Sequence, residues 1–292
     1  LEAAKEFTFS WEAETGFAGY TNDENNLLGS RMAEIIVIAN QKGGGGKTTT
    51  AINLAAALAL LKQPTLLIDV DPQGNATSGL GFDHKTFTPS VYNVIVELMP
   101  IEKTIKGTIM PALHVCGSGP ELEGTEVELV PASDCESRLK GALSAVKDRF
   151  RFIIIDCPPS LGLLTRNALN AANKVLIPIQ GEYYAMEGLA HLLQTIKAVK
   201  SELNPGLDVE GGVVTMFDSG MVLSNQVKIE VERYFDKSLF KTSIPRDKRL
   251  AEAPAFGQCI FQYDPKSEGA KAYADLAREL LSRRGQDTHE CQ

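Results

Sequence analysis

Ile35-Ile36-Val37-Ile38-Ala39-Asn40-Gln41-Lys42-Gly43-Gly44-Gly45-Gly46-Lys47-Thr48-Thr49-Thr50 decides how this chain reads. An apolar, β-branched run enters a glycine-rich turn, and an alanine-rich helical pattern leaves it from Thr49 to Leu61. Strand, loop and helix in that order are the setting of a phosphate-binding loop. Gly43, Gly44, Gly45 and Gly46 let successive backbone N–H groups converge on phosphate oxygens without Cβ interference. The helix N-terminus adds partial positive charge where phosphates would sit. Lys47 is expected to reach the β- and γ-phosphates, Thr48 to ligate Mg²⁺ through its hydroxyl, and Thr49 to complete the cofactor-binding set. The competing reading is a tight glycine turn before an ordinary helix.

Outward from this stretch, β-branched runs alternate with helical patterns. Strands are expected at 35–39, 65–69, 112–116, 152–156, 174–179, 210–216 and 239–244. Helices are expected at 48–62, 91–98, 133–147, 162–172, 185–202, 222–236 and 268–284. This alternation predicts an α/β fold of three layers: a mostly parallel sheet flanked by helices on both faces. Ligands of such sheets bind at the carboxyl ends of strands. Two further motifs fall there. Leu66-Leu67-Ile68-Asp69-Val70-Asp71-Pro72-Gln73-Gly74-Asn75 delivers two acids from an apolar strand, although Asp-Pro and Gly-Asn are also ordinary turn formers. Phe152-Ile153-Ile154-Ile155-Asp156-Cys157-Pro158-Pro159-Ser160 ends an apolar run on a carboxylate suited to Mg²⁺, and the prolines end the strand. Nothing near Cys157 would activate a thiolate, so it reads as a small buried filler.

Lys42, five residues before Lys47, is not required by an ordinary nucleotide loop. Lys42-Gly43-Gly44-Gly45-Gly46-Lys47-Thr48 resembles the deviant Walker A motif of the ParA/MinD superfamily of P-loop NTPases. Gln180-Gly181-Glu182-Tyr183-Tyr184-Ala185-Met186-Glu187-Gly188-Leu189, the run Ser243 to Pro254, and Tyr263-Asp264-Pro265-Lys266-Ser267 resemble chromosomal ParA (Soj-like) proteins. The likeness spans residues 34 to about 283. It implies an ATPase using ATP and Mg²⁺. In that family the early lysine reaches the nucleotide of a partner subunit, so Lys42 joins Lys47 and Asp71 as catalytic candidates, with Asp71 positioning the attacking water. Asp69 would lie near the Mg²⁺ shell with Thr48 and Asp156, and Gln73 and Asn75 would shape a switch sensing the γ-phosphate. Pro245 and Arg246 would pack near the adenine, and Thr215 to Asp218 would border the base pocket.

The resemblance also implies a homodimer formed on ATP binding, nonspecific double-stranded DNA as a ligand, and a ParB-like activator that stimulates slow hydrolysis. Such a switch segregates DNA or positions cargo. Residues 237–249 concentrate Lys237, Lys241, Arg246, Lys248 and Arg249 against Asp247, a cluster able to neutralise phosphates despite a net charge of −8. Lys241, Lys248 and Arg249 are the DNA-binding candidates, Arg249 by its match to a family position; a solvated charged face is the plain alternative. Two departures stand out. Gly45 replaces a larger family residue and is expected to weaken preorganisation of the loop, and Gly220 replaces a second DNA-binding arginine.

Five cysteines without a Cys-x-x-Cys pair fit reduced thiols, and no secretory pattern is visible, so the expected location is cytoplasmic; association with the nucleoid is what the resemblance implies. No apolar run approaches the ~20 residues of a membrane span. Residues 1–31 carry six acids against Lys5 and Arg31 and precede Met32; they read as a tag, fused peptide or extension. Residues 32–285 would form the ATPase domain and 286–292 a polar tail. Competing readings are a MinD-like membrane ATPase inserting an amphipathic helix over 270–284, an iron–sulfur reductase using Cys116 and Cys135, and a nucleotide-locked scaffold without turnover.

Overall fold

The computed structural model describes residues 32–181 and 185–286. The expectations for residues 1–31, the tail beyond Gln286 and the Glu182-Tyr183-Tyr184 stretch lie outside the described residues.

Seven strands form one sheet in the order β3-β4-β2-β5-β1-β6-β7, comprising β1 (Glu34–Ile38), β2 (Thr65–Asp69), β3 (Ile105–Gly107), β4 (Leu113–Cys116), β5 (Phe152–Asp156), β6 (Lys174–Gln180) and β7 (Asp208–Thr215). All neighbours run parallel except β3, which pairs antiparallel with β4. Burial on both faces explains the near-continuous apolar runs. The period of two still sorts them: Phe152 and Ile154 enter one core, Ile153 and Ile155 the other.

The first core lies under α1 (Lys47–Leu60) and the C-terminal α2 (Glu268–Gln286). Ala51, Ala55, Ala56, Ala57 and Ala59 are buried along α1. Their small side chains admit close approach of the sheet below and of α2 above, which buries Tyr273, Leu276, Ala277 and Leu280. Burying a side chain of Leu size contributes about 1.5–3 kcal/mol. This helix therefore docks on its own domain, as the apolar set Tyr273, Leu276, Leu280 and Leu281 suggested. No helix among the described residues is long and apolar enough to cross a membrane.

Residues 239–244 differ from expectation. They follow β7 without forming a strand: Phe240 and Ile244 donate to Gly212 and Val214 (2.9 and 2.8 Å). Between them, the N–H groups of Lys241 and Thr242 turn to the Glu279 carboxylate on α2 (2.8 and 2.9 Å). A charged acceptor has replaced the next rung of the ladder. The short β3 was not anticipated, because Ile105-Lys106-Gly107 carries no legible alternation.

Candidate nucleotide site

The carboxyl ends of β1, β2, β5 and β7 converge on the phosphate loop, near the point where strand order reverses around β1. Asn40, directly after β1, ties the loop down. Its amide donates to the Pro178 carbonyl on β6 (2.6 Å) and its side-chain oxygen accepts from the Lys42 N–H (3.0 Å). Thr215 at the end of β7 donates to the Gly45 carbonyl (3.0 Å). Gly46 has φ 87°, a left-handed conformation that glycine adopts without strain, and leads directly into α1. The loop is thus held from β6 and β7 while its own amides remain at a helix N-terminus.

Lys47 is buried, and its Nζ donates to the Lys42 carbonyl (3.0 Å). Burial lowers its pKa, opposed by the charges of Asp156 and Asp71. Asp156 ends β5 and is fully buried. Neither of its carboxylate oxygens has a hydrogen-bond partner among the described residues. Burial drives its pKa well above the carboxylate range, reinforced by Asp69, while Thr48 and Lys47 pull the other way. A buried acceptor without a partner is costly in a native interior. The arrangement fits a divalent cation, with Thr48 and Asp156 as the residues able to hold it.

Asp69 is Asp156's register neighbour on β2 and is equally buried, yet its surroundings differ. It accepts from the Asp71 N–H (3.1 Å) and from both the N–H and hydroxyl of Thr77 (2.8 and 2.7 Å). Burial raises its pKa to about 6 against these bonds. Asp71 is buried beside it and accepts from the Gln73 N–H (3.0 Å). Gln73 and Asn75 are exposed at the crest of the loop.

A cleft of about 560 Å³ opens beyond Gly46 and Thr49. Met216, Ile244, Leu250 and Tyr273 give it apolar walls, and Thr215, Pro245, Arg246 and Lys248 also line it. Asp218 does not line it; its carboxylate accepts from the Gly220 N–H (2.9 Å) in a local turn. Lys248, read as a DNA contact, thus borders the base-sized cleft. Lys241 is exposed. Arg249 is 45% exposed in its side chain and pairs with Asp264 (2.6 Å) and more loosely with Asp247 (3.8 Å). Sequence reading missed Asn40 and Thr77, while Met216 falls within the 215–218 stretch expected to border the base and does line the cleft. Asn40 alone had a positional signal, standing between the strand and the loop.

Cys116, Cys135, Cys157 and Cys259 are free thiols. Burial pushes the Cys157 thiol well above its usual value, consistent with a filler. Cys116 is buried against the Thr104 hydroxyl (3.1 Å), with its pKa pushed up to about 12.

Sheet order, loop and buried carboxylate define an α/β P-loop NTPase, and residues 33–209 match the AAA domain family. The sporulation initiation inhibitor protein Soj of Bacillus subtilis (strain 168) is 51% identical over 251 residues, 86% of this chain and 99% of that protein. The chromosome partitioning protein ParA of Myxococcus xanthus is 51% identical over 252 residues, 86% of this chain and 89% of its own length. The chain belongs to the ParA/Soj family of partitioning ATPases, within the deviant Walker A superfamily. Among solved structures, cobyrinic acid a,c-diamide synthase from Mycobacterium smegmatis, with a bound ATP analogue and magnesium, has a TM-score of 0.77 at 34% identity. It covers 85% of this chain and 94% of its own. The cell division ATPase MinD of Pyrococcus furiosus has a TM-score of 0.70 at 26% identity, covering 86% and 99%.

Proposed function

We propose that the chain is an ATP-hydrolysing switch that dimerises on ATP, holds double-stranded DNA without reading its sequence, and lets go after hydrolysis. The observation that carries this reading is the buried Asp156 carboxylate, unpartnered among the described residues, beside a buried Lys47 at the end of a glycine loop. ATP is the expected nucleotide and Mg²⁺ the expected metal. Thr48 and Asp156 would hold Mg²⁺, whose charge offsets that of the transferring phosphoryl group. Lys47 exchanges its bond to the Lys42 carbonyl for phosphate oxygens, and the Gly43–Gly46 amides donate to the same group. Asp71 orients the attacking water. The base occupies the cleft against Pro245, Arg246 and Thr215.

Lys42 acts across a homodimer, adding positive charge to the partner's nucleotide, so turnover depends on assembly. Hydrolysis is slow and stimulated by a ParB-like activator. Lys241 and Arg249 supply DNA phosphate contacts; with no base-reading element, affinity should fall steeply with salt. The protein would work in the cytoplasm on the nucleoid. A membrane partner is disfavoured by the docked α2, whose apolar residues face the core.

The test is sizing by light scattering with MgATP on Asp71→Ala protein, before and after nonspecific duplex DNA. An ATP-dependent dimer that then coats DNA in low salt supports the reading. A persistent monomer defeats the role given to Lys42, and a dimer that ignores DNA moves the partner to a membrane or protein surface.

A further inference from the structure

Asp69 and Asp156 end adjacent strands in register, and only Asp156 lacks protein donors among the described residues. The Asp69 carboxylate spans both ends of the catalytic loop. One oxygen accepts from the Asp71 N–H at the loop's start (3.1 Å). The other accepts two bonds from Thr77 at its far end (2.8 and 2.7 Å). Thr77 is itself fixed from outside, because its hydroxyl accepts from the Ser118 N–H just beyond β4 (2.8 Å). Asp69, Thr77 and Ser118 are all fully buried. The Thr77 methyl packs close to Gly117, where a Cβ would stand 2.9 Å from it. The loop's crest is tied to the same point. Gly74 has φ 60°, the His84 ring occupies the space a Cβ would need (2.1 Å), and His84 Nδ1 lies 3.2 Å from the Ser118 carbonyl.

We propose that Thr77 and Asp69 are a positioning pair that holds Asp71 on the attacking water, with Asp69 acting through this bracket and not as a direct Mg²⁺ ligand. The inference rests on the reading of Asp71 as the residue that orients that water. An oriented charge-assisted bond at each end fixes the loop from Asp71 to Thr77, and small displacements of catalytic groups are expensive in rate. The hydroxyl of Thr77 is the pivot, since it bonds both Asp69 at the end of β2 and Ser118 beyond β4.

The experiment compares Thr77→Val, which keeps the shape and removes the hydroxyl, with Thr77→Ser, which keeps it. Steady-state hydrolysis, affinity for a fluorescent ATP analogue and the half-saturating Mg²⁺ concentration are measured on the full chain, with Asp71→Ala as reference. Thr77→Val should lower kcat roughly 10- to 100-fold, while nucleotide and Mg²⁺ affinities stay within about twofold. Thr77→Ser should recover most of the rate. A parental kcat in Thr77→Val, a parallel loss of Mg²⁺ affinity, or failure of serine to rescue overturns the proposal. Should Thr77→Val not fold, Asp69→Asn decides: kcat falls at an unchanged Mg²⁺ requirement if the bracket is right, and a raised requirement makes Asp69 a metal ligand. Parental hydrolysis by Asp71→Ala would defeat the reading of Asp71 itself. An inert Asp71→Ala beside a parental Thr77→Val defeats only the bracket.

Discussion

The nucleotide end of the sheet and the basic segment 237–249 treat charge in opposite ways. At the sheet end, Asp156 is buried without a hydrogen-bond partner among the described residues, and Lys47 reaches only a backbone carbonyl. In the basic segment, Arg249 already has Asp264, and the backbone of Lys241 and Thr242 has Glu279. A buried carboxyl group left without a partner is costly unless a ligand completes it, so the first arrangement points strongly to chemistry. A half-exposed ion pair is worth about 0–1 kcal/mol and says little about purpose. Charge count alone is therefore a weaker guide to partners than the degree to which burial leaves charge unanswered.

The widest gap between the two regions is opened by Asp156→Asn. Hydrolysis should fall by roughly 10²–10³ or more, as for loss of a main stabilising group at a transferring centre. MgATP at about 100 times its Kd should stabilise the parent by about 2.7 kcal/mol, and most of that gain should vanish in the variant, as read by thermal melts. An unchanged melt shift would break the comparison at its stronger end.

Lys42→Ala separates binding from assembly. MgATP should still raise the melting temperature, because Lys47 and the loop amides are untouched, but light scattering should report monomer. A dimer in this variant would remove the reason for a lysine at that position.

Smaller effects belong to the basic segment. Gly220→Arg should strengthen duplex binding and steepen the logarithmic salt dependence by about one unit, as expected for one added phosphate contact. Arg249→Glu should weaken binding and reduce the slope by a similar amount. It also sets an acid against Asp264, so its melting temperature must be compared with the parent's. If both variants bind DNA as the parent does, the segment is a solvated surface and the contrast is complete.

The smallest effect is expected at Gly45. A Cβ there would meet Asn40 and the Lys42 carbonyl at 3.5 Å, ordinary contact, so the loop accommodates the first carbon of a side chain at this position. Restricting the unfolded chain should add about 0.4–1 kcal/mol to the free and nucleotide-bound protein alike, and a better-ordered free loop should separately enlarge the MgATP shift. An unchanged nucleotide-induced shift sinks the idea that four glycines loosen the loop.

What was legible in the sequence follows local rules. Strands 65–69 and 152–156 and the helix at 185–202 are written in runs whose period and ends are local, and their observed bounds agree with those expected. The phosphate loop is legible because glycine and lysine at fixed spacing have few other uses. The 239–244 segment misled because its apolar ends, Leu239, Phe240 and Ile244, are buried as a strand's would be, while the N–H groups of Lys241 and Thr242 are taken by Glu279, far away in sequence. Thr77 was invisible for the same reason. Its importance comes from Asp69 and Ser118, eight and forty-one residues away. Asp69 and Asp156 look alike as strand-ending acids, and only three-dimensional packing tells the saturated one from the open one.

The helix over Glu268–Gln286 carries a consequence for how the protein comes into being. It covers the alanine face of the phosphate-binding helix, and its Tyr273 hydroxyl meets Thr50 (3.1 Å) while lining the base cleft. It also follows every other described element along the chain. During synthesis, the glycine loop and its helix leave the ribosome long before this cover does, and a domain generally folds as a unit. The alanine surface and the Tyr273 wall of the cleft are therefore completed only with the last of the described helices.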